Sequence, residues 1–148
     1  SCVERVCYLQ TTHTEFPVGE VKLSNAQMRN RLNLPPDTLS TRTALIGLLA
    51  LQEALTEARV ESSLLPQVGF ISGTTVGGMD KSERYYMDFL SGDKHSAYIA
   101  LHDCGSCSEA IARHFGDWAF VTTPSTACSS AANWSTMNSF GFSIWGLH

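Results

Sequence analysis

The stretch RTALIGLLALQEALTEA, residues 42–58, constrains the fold more than any other part of the chain. Ser40 or Thr41 can serve as its N-cap, and the spacing predicts a helix over roughly 41–58. Leu45, Leu48, Leu49, Leu51 and Leu55 make that helix apolar nearly all round, so it must be covered on most of its circumference. Gly47 in its middle costs about 1 kcal/mol relative to alanine, which points to a close approach there.

The residues that follow supply material for such a cover. Val68-Gly69-Phe70-Ile71-Ser72-Gly73 reads as a short apolar strand. It runs into Thr74-Thr75-Val76-Gly77-Gly78-Met79 and then a helix over about 80–90, which together make a βα unit. A shorter helix is expected over 108–115, with Glu109 near its positive end, and a strand over 120–123. Before the long helix lie two β-prone pieces, 5–9 and 18–23, and a turn at Leu34-Pro35-Pro36-Asp37. This alternation predicts α/β layers, with no internal repeat or low-complexity tract.

At 148 residues the chain can bury one real core without staples. Its 43% hydrophobic content and net charge of −4 describe a globular protein. They argue against a general nucleic-acid or anionic-membrane binder, which would carry a basic excess. No apolar run reaches transmembrane length, and the first residues lack the layout of a signal peptide, so a cytoplasmic location is expected. The five cysteines, Cys2, Cys7, Cys104, Cys107 and Cys128, are an odd number, and free thiols are the default.

Cys128 stands apart because its neighbours Ser125, Thr126, Ala127, Ser129, Ser130, Ala131 and Ala132 are almost all smaller than itself. It follows the strand at 120–123. A thiol at a strand-to-helix turn has its thiolate favoured by the helix N-terminus, and the same backbone N–H groups can hold an oxyanion. The competing reading is a buried structural cysteine. His102-Asp103-Cys104-Gly105-Ser106-Cys107 offers an H-x-C-x-x-C spacing, three zinc ligands or a redox pair, against the plainer reading of a connecting loop. Val76-Gly77-Gly78-Met79 lacks a phosphate-loop pattern and suits a tight turn or close backbone approach. His13, His95, His114 and His148 carry no motif.

Taken together, Ser125-Thr126-Ala127-Cys128-Ser129-Ser130-Ala131-Ala132-Asn133 resembles the nucleophile motif of the β-ketoacyl-acyl-carrier-protein synthases, the condensing enzymes of fatty acid and polyketide synthesis. Glu20-Val21-Lys22-Leu23-Ser24-Asn25, Arg42-Thr43-Ala44-Leu45-Ile46-Gly47-Leu48 and the segment Val68 to Met79 resemble the family too, in the expected order. The resemblance spans about residues 16–133. It implies a thiolase-like, layered αβαβα fold, of which residues 1–133 would form an N-terminal portion. It also implies an acyltransferase in which Cys128 takes an acyl group from a carrier-protein phosphopantetheine thioester. A decarboxylated malonyl unit then attacks that acyl group. No metal or dissociable cofactor is implied; the expected partners are acyl carrier protein and a second copy in a homodimer.

Residues 134–148 depart from the family. Asn138-Ser139-Phe140-Gly141-Phe142 resembles its C-terminal gating loop, which makes Phe142 the candidate for gating the acyl pocket and completing the oxyanion hole. The family's two decarboxylation histidines and supporting lysine have no counterpart, and His148 matches neither histidine. A part-fold of this kind is expected to expose strand edges and apolar faces, those of the 41–58 helix included. Acyl carrier protein is acidic, and Arg29, Arg31, Lys81 and Arg84 are candidates for a local basic dock or for solvated surface charges. Three readings follow: a condensing enzyme, a non-catalytic remnant or partner subunit of one, and a zinc or redox module on Cys104 and Cys107.

Overall fold

A computed structural model describes residues 3–8, 11–35, 38, 40–92 and 94–130. The chain divides into two compact units, residues 1–38 and 39–148.

In the first unit, β1 (Val3–Glu4) pairs antiparallel with β2 (Val18–Gly19), Val3 opposite Gly19 and Glu4 opposite Val18. Lys22 pairs with Glu4 alongside. Residues 5–8 of the expected strand at 5–9 are not strand, and Leu9 lies outside the described residues. The Glu20 carboxylate instead accepts from the backbone N–H groups of Cys7 and Tyr8, each at 2.8 Å, so a side chain takes donors that a strand neighbour would have taken. The second β-prone piece is strand only at its start. Beyond it, Ser24 opens α1 (Asn25–Arg31) through a reciprocal cap. Its Oγ accepts from Gln27 N–H at 3.2 Å and Gln27 Oε1 accepts from Ser24 N–H at 2.8 Å. Met28 and Leu32, one turn apart, are buried.

The second unit is built on α2 (Arg42–Glu57), within a residue of the expected span. Thr41 is the N-cap, its Oγ1 accepting from Ala44 N–H at 3.1 Å. Ser40, the other candidate, is buried with its hydroxyl unpaired among the described residues. Ala44, Leu45, Gly47, Leu48, Leu51 and Leu55 are buried, while Leu49 is half-buried. They share the core with Leu65 from a 3₁₀ segment (Ser62–Gln67), Phe70, Ile71, Cys107, Ile111 and Ala112.

β3 (Gly69–Ile71) and β4 (Phe120–Thr122) form a parallel pair, with Gly69 opposite Phe120, Phe70 opposite Val121 and Ile71 opposite Thr122. Ala119 N–H donates to Val68 O and Ser72 N–H to Thr122 O, both at 3.0 Å, which carries the ladder past each end. The crossover between them holds α3 (Met79–Ser91), a 3₁₀ segment (Lys94–Leu101) and α4 (Cys104–Phe115). α3 packs along that 3₁₀ segment through the stacked rings of Tyr85 and Tyr98, 5.1 Å apart. α4 packs against α2. The Trp118 indole donates to Ala112 O at 2.9 Å and lies 5.3 Å from the Phe70 ring.

α4 begins four residues before the expected 108. Asp103 is its cap, accepting from Ser106 N–H at 2.9 Å and from the Ser106 hydroxyl. The unit is thus mixed α/β. The leucines of α2 are not exposed as the part-fold expectation had it. Exposed apolar side chains lie instead on α3 (Tyr86, Met87, Phe89, Leu90) and on β4 (Phe120, Val121). Among the described residues no helix is long and apolar enough to cross a membrane.

Gly77 and Gly78 let two backbone segments meet. Gly78 N–H donates to His102 O at 3.2 Å. A Cβ on Gly77 would overlap the carbonyls of His102 and Asp103, and one on Gly78 that of Leu101. Gly77→Ala is therefore expected to destabilise the unit by about 1–3 kcal/mol, as overpacking of a tight contact does. The shift in a denaturant-unfolding midpoint measures this; an unchanged midpoint would mean that the two segments separate without cost.

Candidate functional site

Parallel pairing sends β3 and β4 the same way, so the loops after them, 72–78 and 123–130, leave from one sheet edge. In open α/β sheets this carboxyl edge is where ligand crevices form. Two contacts tie the edge together. Thr75 Oγ1 donates to Ala127 O at 3.1 Å, joining the two loops. Ser125 Oγ donates to the Cys104 sulfur at 3.5 Å, bringing the first residue of α4 to the same place.

Cys128 lies in a 3₁₀ turn (Ala127–Ser129) a few residues past β4. The residue before it, Ala127, has φ 52, the left-handed region that side-chain-bearing residues avoid at a cost of about 1–2 kcal/mol. Small hydroxyl residues hold the turn in that shape. Thr126 N–H donates to Ser130 Oγ at 2.9 Å, and Ser130 Oγ donates to Ala127 O at 2.8 Å. Ser129 Oγ donates to Thr126 O at 2.8 Å and lies 3.0 Å from Thr126 Oγ1. Ser130 is buried. The serines around Cys128 therefore brace the backbone, a role beyond leaving room for a substrate. The Cys128 side chain lies outside what the structure describes. Phe142, the 138–142 pentad, Asn133 and His148 also lie outside the described residues.

The H-x-C-x-x-C segment runs from a connection, His102-Asp103, into the first turn of α4, and among the described residues its side chains are not gathered as ligands. Asp103 is the cap, so Cys104 and Cys107 both fall at the start of α4. His102 turns to α3 instead: its Nδ1 lies 2.9 Å from Ser82 Oγ, which donates to Gly78 O at 3.3 Å. Among the described residues no three His, Cys, Asp or Glu side chains form a group able to hold a metal ion. Cys104 is half-buried and Cys107 buried, both as free thiols. Burial pushes the Cys107 thiol up to about 11, and a hydrogen bond with the Thr41 side chain opposes that rise. The nearby Cys104 and Asp103 charges add to it.

The other candidates are dispersed. Lys81 Nζ stands 5.4 Å from the Tyr98 ring and 5.9 Å from Tyr85, and the Arg84 guanidinium 5.6 Å from Tyr85, so both cations lie over a tyrosine stack. Arg29 and Arg31 belong to α1 in the other unit. His13 sits 3.4 Å from Glu15, both exposed, and His114 is edge-on to Phe115. Thr75, Asp103 and Ser125 were not singled out as site residues by the sequence. Only Asp103 had a local signal, the D-x-x-S cap spacing.

The Ser106 hydroxyl and backbone N–H hold the Asp103 carboxyl below its ordinary 3.8. A lowered value in the folded protein means the charged cap stabilises fully above the unfolded value, and that contribution is lost as pH falls through the folded one. Asp103→Ala is expected to cost about 1 kcal/mol at pH 7, while Asp103→Asn keeps the cap. Unfolding curves at pH 7 and pH 3 check this. The asparagine variant should show the smaller acid-induced loss, and equal losses would remove Asp103 from the acid response.

A scan against protein-family models finds no match to this chain, and a search of the curated proteins finds none either.

Proposed function

We propose that the chain accepts an acyl group on Cys128 from a carrier-bound thioester, the first half of the decarboxylative condensation run by β-ketoacyl-acyl-carrier-protein synthases. The observation that carries this reading is the turn at Cys128: a strained Ala127, braced by three hydroxyl residues, at the carboxyl edge of a parallel strand pair. Strain of this kind persists where the surrounding structure over-determines it, and it clusters at reactive sites. A sharp turn after a strand is also how a nucleophile is presented in unrelated acyl-transfer folds.

In the proposed step the Cys128 thiolate attacks the thioester carbonyl. A carbon–sulfur bond forms to Cys128, the bond to the pantetheine sulfur breaks, and the departing thiolate takes up a proton. Backbone N–H groups of the turn are the proposed donors to the oxyanion, with Phe142 as a further one. The resemblance in sequence supports a thiolase-like layered arrangement for the mixed α/β unit. Acyl transfer is the step argued here because it is the one that Cys128 and its turn would carry. Acyl carrier protein is the proposed donor, with Lys81 and Arg84 as candidate contacts for its acidic surface. A homodimer is the proposed assembly, in keeping with the apolar side chains exposed on α3 and β4.

Incubation with a medium-chain acyl thioester, followed by intact-protein mass spectrometry, is expected to show one acyl adduct, removed by hydroxylamine and missing from Cys128→Ala. An adduct of equal yield on the alanine variant would sink the assignment of Cys128. A second expectation concerns the brace. Ser130→Ala removes the hydroxyl that bonds Thr126 and Ala127, and should slow acylation by about 10-fold or more, the scale of a misplaced reacting group. An unchanged rate would separate the brace from the chemistry.

A further inference from the structure

Acyl transfer leaves Cys104 and Cys107 unexplained. They occupy the first and fourth positions of α4, three residues apart, so both lie on one side of its opening turn. Their surroundings differ. Cys104 is half-buried at the sheet edge, with Ser125 Oγ 3.5 Å from its sulfur, while Cys107 is only 3% exposed and belongs to the core with Ile111 and Ala112. The i, i+3 spacing on one helix turn makes the two side chains neighbours. Among the described residues neither belongs to a group able to hold a metal ion, and both are free thiols.

We propose that Cys104 and Cys107 form a redox-active dithiol that takes low-molecular-weight disulfides as its oxidising substrate, Cys104 reacting first and Cys107 closing the bond. This dithiol stands independently of acyl transfer at Cys128. The geometry assigns the order, because a reagent from solvent can reach the half-buried sulfur and not the buried one. In the first step the Cys104 thiolate attacks one sulfur of the disulfide, a mixed disulfide forms, and one small thiolate leaves. In the second step Cys107 gives up its proton and attacks the Cys104 sulfur. The internal disulfide forms and the second small thiol leaves. One disulfide is reduced to two thiols as the protein dithiol loses two electrons and two protons.

The two sulfurs must draw together for this. Side chains three apart on a helix have Cβ atoms about 5–6 Å apart, and a disulfide needs about 3.5–4.5 Å. Asp103 ties the opening turn, its carboxylate accepting from Ser106 N–H and its carbonyl from Cys107 N–H at 3.4 Å, so closure must work against this cap. Burial supplies the direction of the chemistry. The high Cys107 value makes that thiol a slow first nucleophile, and it acts once a mixed disulfide is already beside it. Closure also pulls the Cys104 sulfur from Ser125 and the Cys107 sulfur from Thr41, two contacts at the ends of the 123–130 loop and α2.

The test treats the full reduced chain with oxidised glutathione, quenches with acid, alkylates and digests with trypsin. Residues 95–113 form one tryptic peptide that holds these two cysteines alone, and Cys128 falls in another. The expected product is peptide 95–113 two hydrogens lighter and closed to alkylation until dithiothreitol is added. Cys107→Ala should stop at a glutathione adduct on Cys104, and Cys104→Ser should give neither adduct nor disulfide in this peptide. Full alkylation of both cysteines in the treated wild-type chain would overturn the proposal. A glutathione adduct on wild-type Cys104 as persistent as that on Cys107→Ala would overturn it equally.

Discussion

Everything at the candidate site depends on the parallel pairing of β3 with β4. It joins segments about fifty residues apart through a ladder of three residue pairs, extended by one backbone bond at each end. Closing a crossover of that length costs chain entropy, and three pairs alone do not offset it. The compensation lies in what the crossover carries. α4 packs on α2, Trp118 lies against Phe70, and Ile111 and Ala112 are buried. The pairing then fixes direction. Since both strands run one way, the loops at 72–78 and 123–130 emerge together, and one hydroxyl bond from Thr75 to Ala127 can join them.

The glycine pair in the first of these loops shows how close that assembly is. Gly77 and Gly78 meet the carbonyls of residues 101–103 at a distance no Cβ would permit. The 101–103 carbonyls precede α4, and Asp103 caps it. These backbone contacts bring the start of α3 and the start of α4 together. His102 reinforces it from the side through Ser82. A histidine next to two cysteines is here an anchor between two helices.

The legible parts of the sequence were those in which the side chain decides the element. The leucines of residues 45–55 specify a buried helix wherever they are placed, so α2 was found to within a residue. The glycine-rich turn after Ile71 announced a close backbone approach, and the structure contains one. Elements decided by a single hydrogen bond were missed. Glu20 takes the N–H groups of Cys7 and Tyr8 from across a loop, and no local pattern foretells that. Ser24 with Gln27 opens a helix at 25–31 that the β-prone run before it does not suggest, and Asp103 with Ser106 starts α4 four residues before the expected 108. At Cys128 the run of small residues was noticed, but its left-handed neighbour was not, because nothing in an alanine predicts φ 52.

That alanine and the buried thiol represent two ways for a fold to set the chemistry of sulfur. Cys107 is governed by solvation: the core withholds water from its charged form, and the thiol is kept neutral. For Cys128 the proposed acyl transfer draws on the backbone instead. The turn that carries it is bent into an unfavourable region and held there by Thr126, Ser129 and Ser130. Cys104 lies between these cases, at the sheet edge and within reach of Ser125. Ser125 belongs to the same loop as Cys128, and Cys104 to the same helix turn as Cys107. The Ser125–Cys104 hydrogen bond therefore ties the loop after β4 to the opening turn of α4.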